Sequence, residues 1–168
     1  MTRRREIPIE RIRQVLDYEP EAGLLRWRQK IADKVVVGAV AGNSTGRRDV
    51  RVMVDGVLYQ AHRLAWVIMT GEQPPTNIDH INQDTRDNRW CNLRGATTSQ
   101  NGANRPAQCN SGTKVKGVYY YPGKKKPWLA RLTCQGVIRL NRYFPTQEEA
   151  AAAYAKAGRE YFGPYWTP

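Results

Sequence analysis

The sequence predicts an α+β protein built from two small units. Short strand-like segments alternate with a few amphipathic helical segments, and 168 residues suffice for one domain or two small ones. The stretch 101–112, NGANRPAQCNSG, has no apolar period and is rich in Asn, Gly, Pro and Ser. We therefore predict a first unit at 1–104, a linker at 105–112 and a second unit at 113–168.

The charge of the chain favours a polyanionic partner. Lysine and arginine number 27 against 15 acidic residues, and eleven of the basic residues but only three of the acidic ones follow residue 104. No apolar run is long enough to span a membrane, and the basic start lacks the apolar stretch of a secretory leader. Three cysteines without a C-x-x-C pair argue against a disulfide framework or a cysteine-rich zinc site. The expectation is a cytoplasmic nucleic-acid-binding protein without a membrane partner.

In the first unit, apolar residues at helical spacing predict a helix over 9–16 that ends before Pro20. The pair Asp55-Gly56, between two apolar segments, predicts a hairpin turn. A buried helix is predicted at 63–71, with Gly71 at its end. The other strand-like segments of this unit are 24–28, 35–42, 50–54 and 57–62.

The second unit is predicted to contain three strands followed by one helix. Thr146 starts the helix with a capping box to Glu149, and Gly163 ends it. Because side chains alternate along a strand, we expect Ile138 and Leu140 to pack against this helix and Arg139 to face the other side. The predicted strands are 116–121, 128–134 and 137–144, and the predicted core of the unit includes Phe144, Ala150, Ala153, Tyr154, Ala157 and Phe162.

The segment 77–101 concentrates groups suited to phosphodiester hydrolysis. Asp79 and His80 are adjacent on a predicted short strand. A carboxylate can hold a hard divalent cation, and a histidine can take a proton from water near neutral pH. Asn92 and Asn101 follow, and the helix-capping residues at 97–99 predict that Asn101 lies on a short helix.

The ordered set of Asp79-His80, Asn92-Leu93 and Asn101, preceded by HRLAW at 62–66, resembles the HNH endonucleases whose motif ends in Asn. The resemblance implies a ββα-metal fold with its core motif in 62–104 and one divalent cation, Mg²⁺ or alternatively Mn²⁺. It implies that Asp79 and Asn101 hold the ion, that His80 activates water and that Asn92 holds the imidazole in its working orientation. His62 is a candidate phosphate contact, although we favour a structural role in anchoring the helix that it precedes.

Residues 111–163 resemble a second family, the plant ethylene-response-factor (Apetala-two type) DNA-binding domains. The resemblance is carried by KGVYY, by the W-x-A-R of Trp128 to Arg131, and by EEAAAAYAKAGREYFG near the end. It implies a three-stranded antiparallel sheet packed on one helix, with the sheet in the major groove of double-stranded DNA. The candidate DNA contacts are Lys116, Tyr119, Lys124, Lys125, Lys126, Trp128, Arg131, Arg139 and Arg142.

Together these patterns predict a metal-dependent DNA endonuclease of the phage homing type with a C-terminal DNA-binding module. One alternative is a catalytically inactive, sequence-specific DNA-binding regulator that keeps the basic second unit. Another is an RNA-binding or ribosome-associated basic protein, which explains the charge but not the ordered motif. The oligomeric state, the target sequence and the choice between nicking and double-strand cutting stay open at this point.

Overall fold

The computed structural model describes residues 6–43, 49–107 and 112–167. The chain divides into two compact units, Met1–Ala96 and Thr97–Pro168. The helix that contains Asn101 therefore belongs to the second compact unit, although it precedes the predicted linker. The domain limits at 104 and 113 stay a prediction, and residues 108–111 of that linker, including Cys109, lie outside the described residues.

The first unit is a mixture of short helices and small antiparallel sheets. Strands β1, β2 and β3 form one sheet, β4 and β5 form a hairpin, and β6 pairs with β7. A 3₁₀ turn, Trp90–Asn92, leads into β7. The elements are α1 (Ile9–Val15), β1 (Leu16–Glu19), β2 (Leu24–Trp27), β3 (Val40–Ala41), β4 (Arg51–Val54), β5 (Val57–Gln60), α2 (Ala61–Thr70), β6 (Asn77–His80) and β7 (Leu93–Ala96).

Local signals account for most of these elements. Asp55 and Gly56 both have positive φ, 48° and 75°, which is the conformation that a two-residue hairpin turn requires. Gly71 ends α2 in the left-handed conformation, with its N–H on the carbonyl of Val67. The prediction at 35–42 was too long, because only Val40 and Ala41 pair with β2. Strand β1 was not predicted, since it follows α1 without a break.

The second unit contains α3 (Thr98–Asn104), β8 (Val118–Tyr120), β9 (Trp128–Cys134), β10 (Val137–Phe144), α4 (Gln147–Phe162) and a 3₁₀ turn, Gly163–Tyr165. The three strands form an antiparallel sheet with β9 in the middle, and α4 packs on one face of it. Thr146 caps α4 by accepting a hydrogen bond from the N–H of Glu149. The buried core of the second unit contains Ala103, Val118, Ala130, Leu132, Cys134, Ala150, Ala157 and Phe162.

The alternation predicted for β10 was wrong at Ile138. The pairing of β10 with β9 shifts between Ile138 and Leu140, so Arg139 is the extra residue of a β-bulge. Leu140 pairs with Leu132 and packs on the helix side, whereas Ile138 pairs with Thr133 and is 50% exposed. The guanidinium of Arg139 lies 5.3 Å from the ring centroid of Tyr161 on α4, so Arg139 points toward the helix side.

No helix in the described part of the chain is both long and apolar enough to cross a membrane. Cys91 and Cys134 are free thiols, exposed and buried respectively.

Candidate active site

His80 lies at the end of β6, where β6 pairs with β7. This strand pair packs on α2 through Ile78, Leu93 and Ala65, so His80 is only 6% exposed. Its Nε2 lies 3.1 Å from Oδ1 of Asn88, whose amide nitrogen donates to the carbonyl of Arg86 at 3.2 Å. Because an amide oxygen only accepts, Nε2 is the ring nitrogen that donates in this contact. This hydrogen bond fixes the orientation of the buried imidazole.

Asn92 organises the loop that carries Asn88. Both of its amide hydrogens are used, one on Oδ1 of Asn82 at 2.9 Å and one on the carbonyl of Asp87 at 2.7 Å. Its Oδ1 accepts from the N–H of Asn82 at 2.9 Å. The group that contacts the imidazole is thus Asn88, and Asn92 contacts the loop that carries Asn88. The role of Asn92 in holding the imidazole in its working orientation, which the resemblance implies, stays a prediction.

The same loop is braced by charge pairing and by the N-terminal sheet. Arg89 donates to both carboxylate oxygens of Asp87, at 2.8 and 2.6 Å, and these hydrogen bonds hold the pKa of Asp87 at about 2. The Tyr18 hydroxyl on β1 donates to the carbonyl of Asn88 at 2.6 Å, and burial raises the pKa of Tyr18 to about 12. The hydroxyl therefore keeps its proton, and the loop its hydrogen bond, at every ordinary pH.

Gly23, in the turn between β1 and β2, packs directly against the backbone of this loop. Its φ is +71°, and a Cβ placed there would lie 2.4 Å from the backbone nitrogen of Arg89. Gly38 provides a matched comparison, since its φ is +82° and a Cβ there would have nothing within 4 Å. The turn of the N-terminal sheet and the loop that holds His80 therefore fit together only if residue 23 has no side chain.

We expect Gly38→Ala to cost about 1 kcal/mol of unfolding free energy, from its positive φ alone. Gly23→Ala should cost about 1–3 kcal/mol more, because the backbone of the loop must shift. Urea unfolding of the two variants measures this difference. Equal losses would show that the turn does not brace the loop.

Asp79 lies beside His80 and is 3% exposed. Its Oδ2 accepts from Nε and Nη2 of Arg94, at 2.9 and 2.7 Å, across the β6–β7 pair. The ion pair with Arg94 offsets the desolvation cost of burying the charged carboxylate of Asp79. Carboxylate oxygen is the donor that Mg²⁺ prefers, and Mg²⁺ keeps several waters while binding through one or two carboxylates. Asp79 thus fits a magnesium ion in donor chemistry.

Among residues 6–43, 49–107 and 112–167, no three His, Cys, Asp or Glu side chains lie close enough together to hold a metal ion. Asn101 is half-buried on α3, and the predicted short helix is confirmed. A complete capping box starts it, since Thr97 and Gln100 bond reciprocally through side chains and backbone. The role of Asn101 as a metal ligand stays a prediction.

His62 was predicted to end a strand and precede the helix, but β5 ends at Gln60 and α2 begins at Ala61, so His62 lies on the first turn of α2. There it packs against His80. The two rings are perpendicular, with centroids 5.1 Å apart. They are the two histidines of the whole chain. The structure therefore brings His62 to the candidate active site, whichever of the two roles considered for it applies.

The predicted DNA contacts of the second unit divide between the two faces of its sheet. Val118 and Ala130 face α4. Because side chains alternate along a strand, their neighbours Tyr119 and Arg131 share the face that points away from α4. Lys124 joins this outer face. Its ammonium lies 4.0 Å from the ring centroid of Tyr143 and donates to the Tyr143 hydroxyl at 2.8 Å.

Trp128 and Arg142 lie on the helix side of the sheet, where they pair with Phe144 and Ala130 respectively. Trp128 is half-buried against Tyr120, with ring centroids 4.7 Å apart. Lys125 and Lys126 are exposed in the turn before β9. The ammonium of Lys116 is engaged with backbone carbonyls of its own unit rather than extended into solvent.

Comparisons with known proteins agree with the motif. Residues 59–103 match the family model of the HNH endonucleases. An uncharacterized HNH endonuclease of Acanthamoeba polyphaga mimivirus is 30% identical over 111 residues, which are 65% of this chain. The chain spans 56% of the length of that viral relative. No solved structure matches the chain significantly. The matched segment contains His62, Asp79, His80, Asn88, Asn92 and Asn101.

Proposed function

We propose, from the match of residues 59–103 to the HNH endonuclease family model, that the protein hydrolyses phosphodiester bonds of double-stranded DNA. The observation that carries this proposal is the buried His80, whose ring is oriented by the contact of its Nε2 with Oδ1 of Asn88. An imidazole that is held in one orientation is suited to act as a general base for water. The hydrogen bonds of Asn92 to Asn82 and Asp87 keep the loop, and hence the ring, in place.

The proposal includes one divalent cation, Mg²⁺ or Mn²⁺, with Asp79 and Asn101 as its protein ligands. When bound, the ion polarises the phosphate and stabilises the departing oxygen. Arg94 offsets the charge of Asp79 through its 2.7 Å ion pair. His80 then takes the proton of the attacking water.

The second unit is proposed as the DNA-binding module. All three acidic residues that follow position 104 lie on α4. Arg131 and Lys124 lie instead on the outer face of the sheet, and Lys125 and Lys126 lie in the adjacent turn. This segregation makes the outer face, with its exposed Tyr119, complementary to phosphate and suited to aromatic contacts. An active site for phosphate alone carries no sequence information, so a separate module supplies affinity and position.

We expect Arg131→Ala to weaken DNA binding by about tenfold or more, since it removes a cation from the outer face. Arg142→Ala is the matched control on the helix side, and we expect it to change affinity by less than about threefold. Gel-shift titrations at fixed salt measure both. A larger loss for Arg142 than for Arg131 would place the DNA on the other face and support the assignments of Arg139, Arg142 and Trp128.

The whole-protein role that fits best is that of a homing endonuclease of a phage, working in the cytoplasm of the host cell. The viral origin of the HNH relative supports this context. A second candidate is a DNA-binding regulator that does not cut, which the same basic module would serve.

Incubation of supercoiled plasmid with the purified protein decides between these functions. We expect nicked or linear plasmid with Mg²⁺ and intact plasmid with EDTA, because the chemistry depends on the cation. The Asp79→Ala variant controls for a contaminating nuclease. Binding of the plasmid without cleavage, under Mg²⁺ and under Mn²⁺, would favour the regulator.

A further inference from the structure

The C-terminal end of α3 is held by a lysine that is distant in sequence. The ammonium of Lys116 donates to the carbonyl oxygens of Ala103, Arg105 (2.5 Å) and Thr167 (3.4 Å). The carbonyls in the last turn of a helix have no partner within the helix, and a cation there also complements the helix dipole. Lys116, two residues before β8, therefore caps the C-terminal end of α3.

The C-terminal segment of the chain holds the same helix end. The hydroxyl of Thr167 donates to Oδ1 of Asn104 at 2.6 Å, and the N–H of Thr167 donates to the carbonyl of Ala103 at 3.4 Å. Asn104 is only 2% exposed. Three distant points of the chain, 104, 116 and 167, thus meet at one helix end.

This segment is itself anchored on α4. The indole of Trp166 packs so closely on Gly158 that a Cβ there would lie 2.0 Å from Nε1. The guanidinium of Arg159 lies 5.4 Å from the Trp166 ring. The other end of α3 is also tied to the unit, since Ser99 Oγ accepts from the N–H of Gln135 at 3.1 Å.

The engagement of Lys116 argues against its role as a phosphate contact. Its ammonium donates to three carbonyls of the second unit, and the residue is half-buried. Burial also lowers the pKa of Lys116. An exposed lysine such as Lys125 has no such constraint on its position.

We propose that Lys116 is a positioning residue that, together with the C-terminal segment 163–167, fixes α3 and thereby Asn101. The inference rests on the proposed function in one respect, the role of Asn101 as a metal ligand. It assigns the second unit a task beyond DNA binding, namely to hold the helix on which that ligand lies.

The test uses the full-length protein with three variants: Lys116→Met, the conservative Lys116→Arg and the exposed control Lys125→Met. Hydrogen exchange of the α3 amides should be about tenfold faster in Lys116→Met, because its charge-assisted hydrogen bonds to the helix end are lost. Lys116→Arg should restore most of the protection, and Lys125→Met should leave it unchanged. If Lys116→Met does not fold, Thr167→Val, which removes a single hydrogen bond, should give a smaller acceleration.

A second readout follows Asn101 directly and needs no cleavage. We expect Mn²⁺ to broaden the NMR signal of the Asn101 side-chain amide in the wild type. The Mn²⁺ concentration at half-maximal broadening should be several-fold higher in Lys116→Met and close to the wild-type value in Lys116→Arg. The salt dependence of DNA binding distinguishes a phosphate contact from a helix-capping role for Lys116, because loss of a phosphate contact makes the salt dependence shallower. We expect a shallower dependence for Lys125→Met and no change for Lys116→Met.

Unchanged exchange of α3 in Lys116→Met, or a shallower salt dependence, would overturn the proposal in favour of a phosphate contact. Faster exchange with an unchanged Mn²⁺ midpoint would overturn the positioning role. If Mn²⁺ does not broaden Asn101 in the wild type, the ligand assignment fails and the positioning role fails with it. The plasmid assay judges nuclease activity separately, so the two failures are distinguishable.

Discussion

Replacing His80 with alanine should reduce plasmid cleavage by roughly 10²–10⁴-fold, the usual contribution of a general base. DNA binding should stay unchanged, because His80 is buried in the first unit and the proposed binding face lies in the second. Single-turnover cleavage at saturating protein measures the chemical step apart from binding. Removal of the buried ring also takes the imidazole partner from Oδ1 of Asn88, so folding of the variant is checked by circular dichroism.

His62→Ala is the matched control, since His62 is the other histidine of the chain and its ring touches that of His80. We expect a cleavage loss of about tenfold or less, because His62 supports the ring or contacts phosphate rather than accepting the proton. The reverse order of losses would move the general base to His62. Near wild-type cleavage by both variants would remove the histidines from the chemistry.

Ending the chain after Asn104 should abolish cleavage rather than slow it. The truncation removes the sheet and α4, on which α3 packs through the buried Ala103. It also removes Lys116 and Thr167, which bind the end of α3. A seven-residue helix without tertiary packing is not stable in water, so Asn101 should lose its fixed position.

DNA affinity should fall steeply in the same truncated protein, with a shallower dependence on salt, because most of the excess positive charge is lost. The first unit should remain folded, since its core of Ile12, Leu64 and Val67 is internal to it. NMR spectra of the truncated protein show which amides keep dispersed signals. Wild-type cleavage or a folded α3 in this protein would contradict the importance of the second unit for the site.

The predictions that the structure confirms are those with a local cause. The Asp55-Gly56 hairpin, the end of α2 at Gly71 and the cap at Thr97 follow from residue types that favour particular backbone conformations. The α+β class and the strands at 128–134 and 137–144 follow from apolar patterns and turn residues in the same way. Asp79, His80, Asn92 and Asn101 could be singled out because their spacing is a property of the sequence itself.

Tertiary structure alone decided which partner each of these groups has. Asn88 on His80, Tyr18 on Asn88 and Lys116 on α3 each join segments that are 8 to 70 positions apart, and many polar residues in the sequence could have filled these places. The bulge at Arg139 likewise reverses the expected side of Ile138, because one extra residue shifts the alternation of a strand. The residue types that can do the chemistry were thus determined by the sequence. The orientation of the imidazole, the bracing of the loop and the support of α3 depend instead on hydrogen bonds between segments that meet only when the chain is folded.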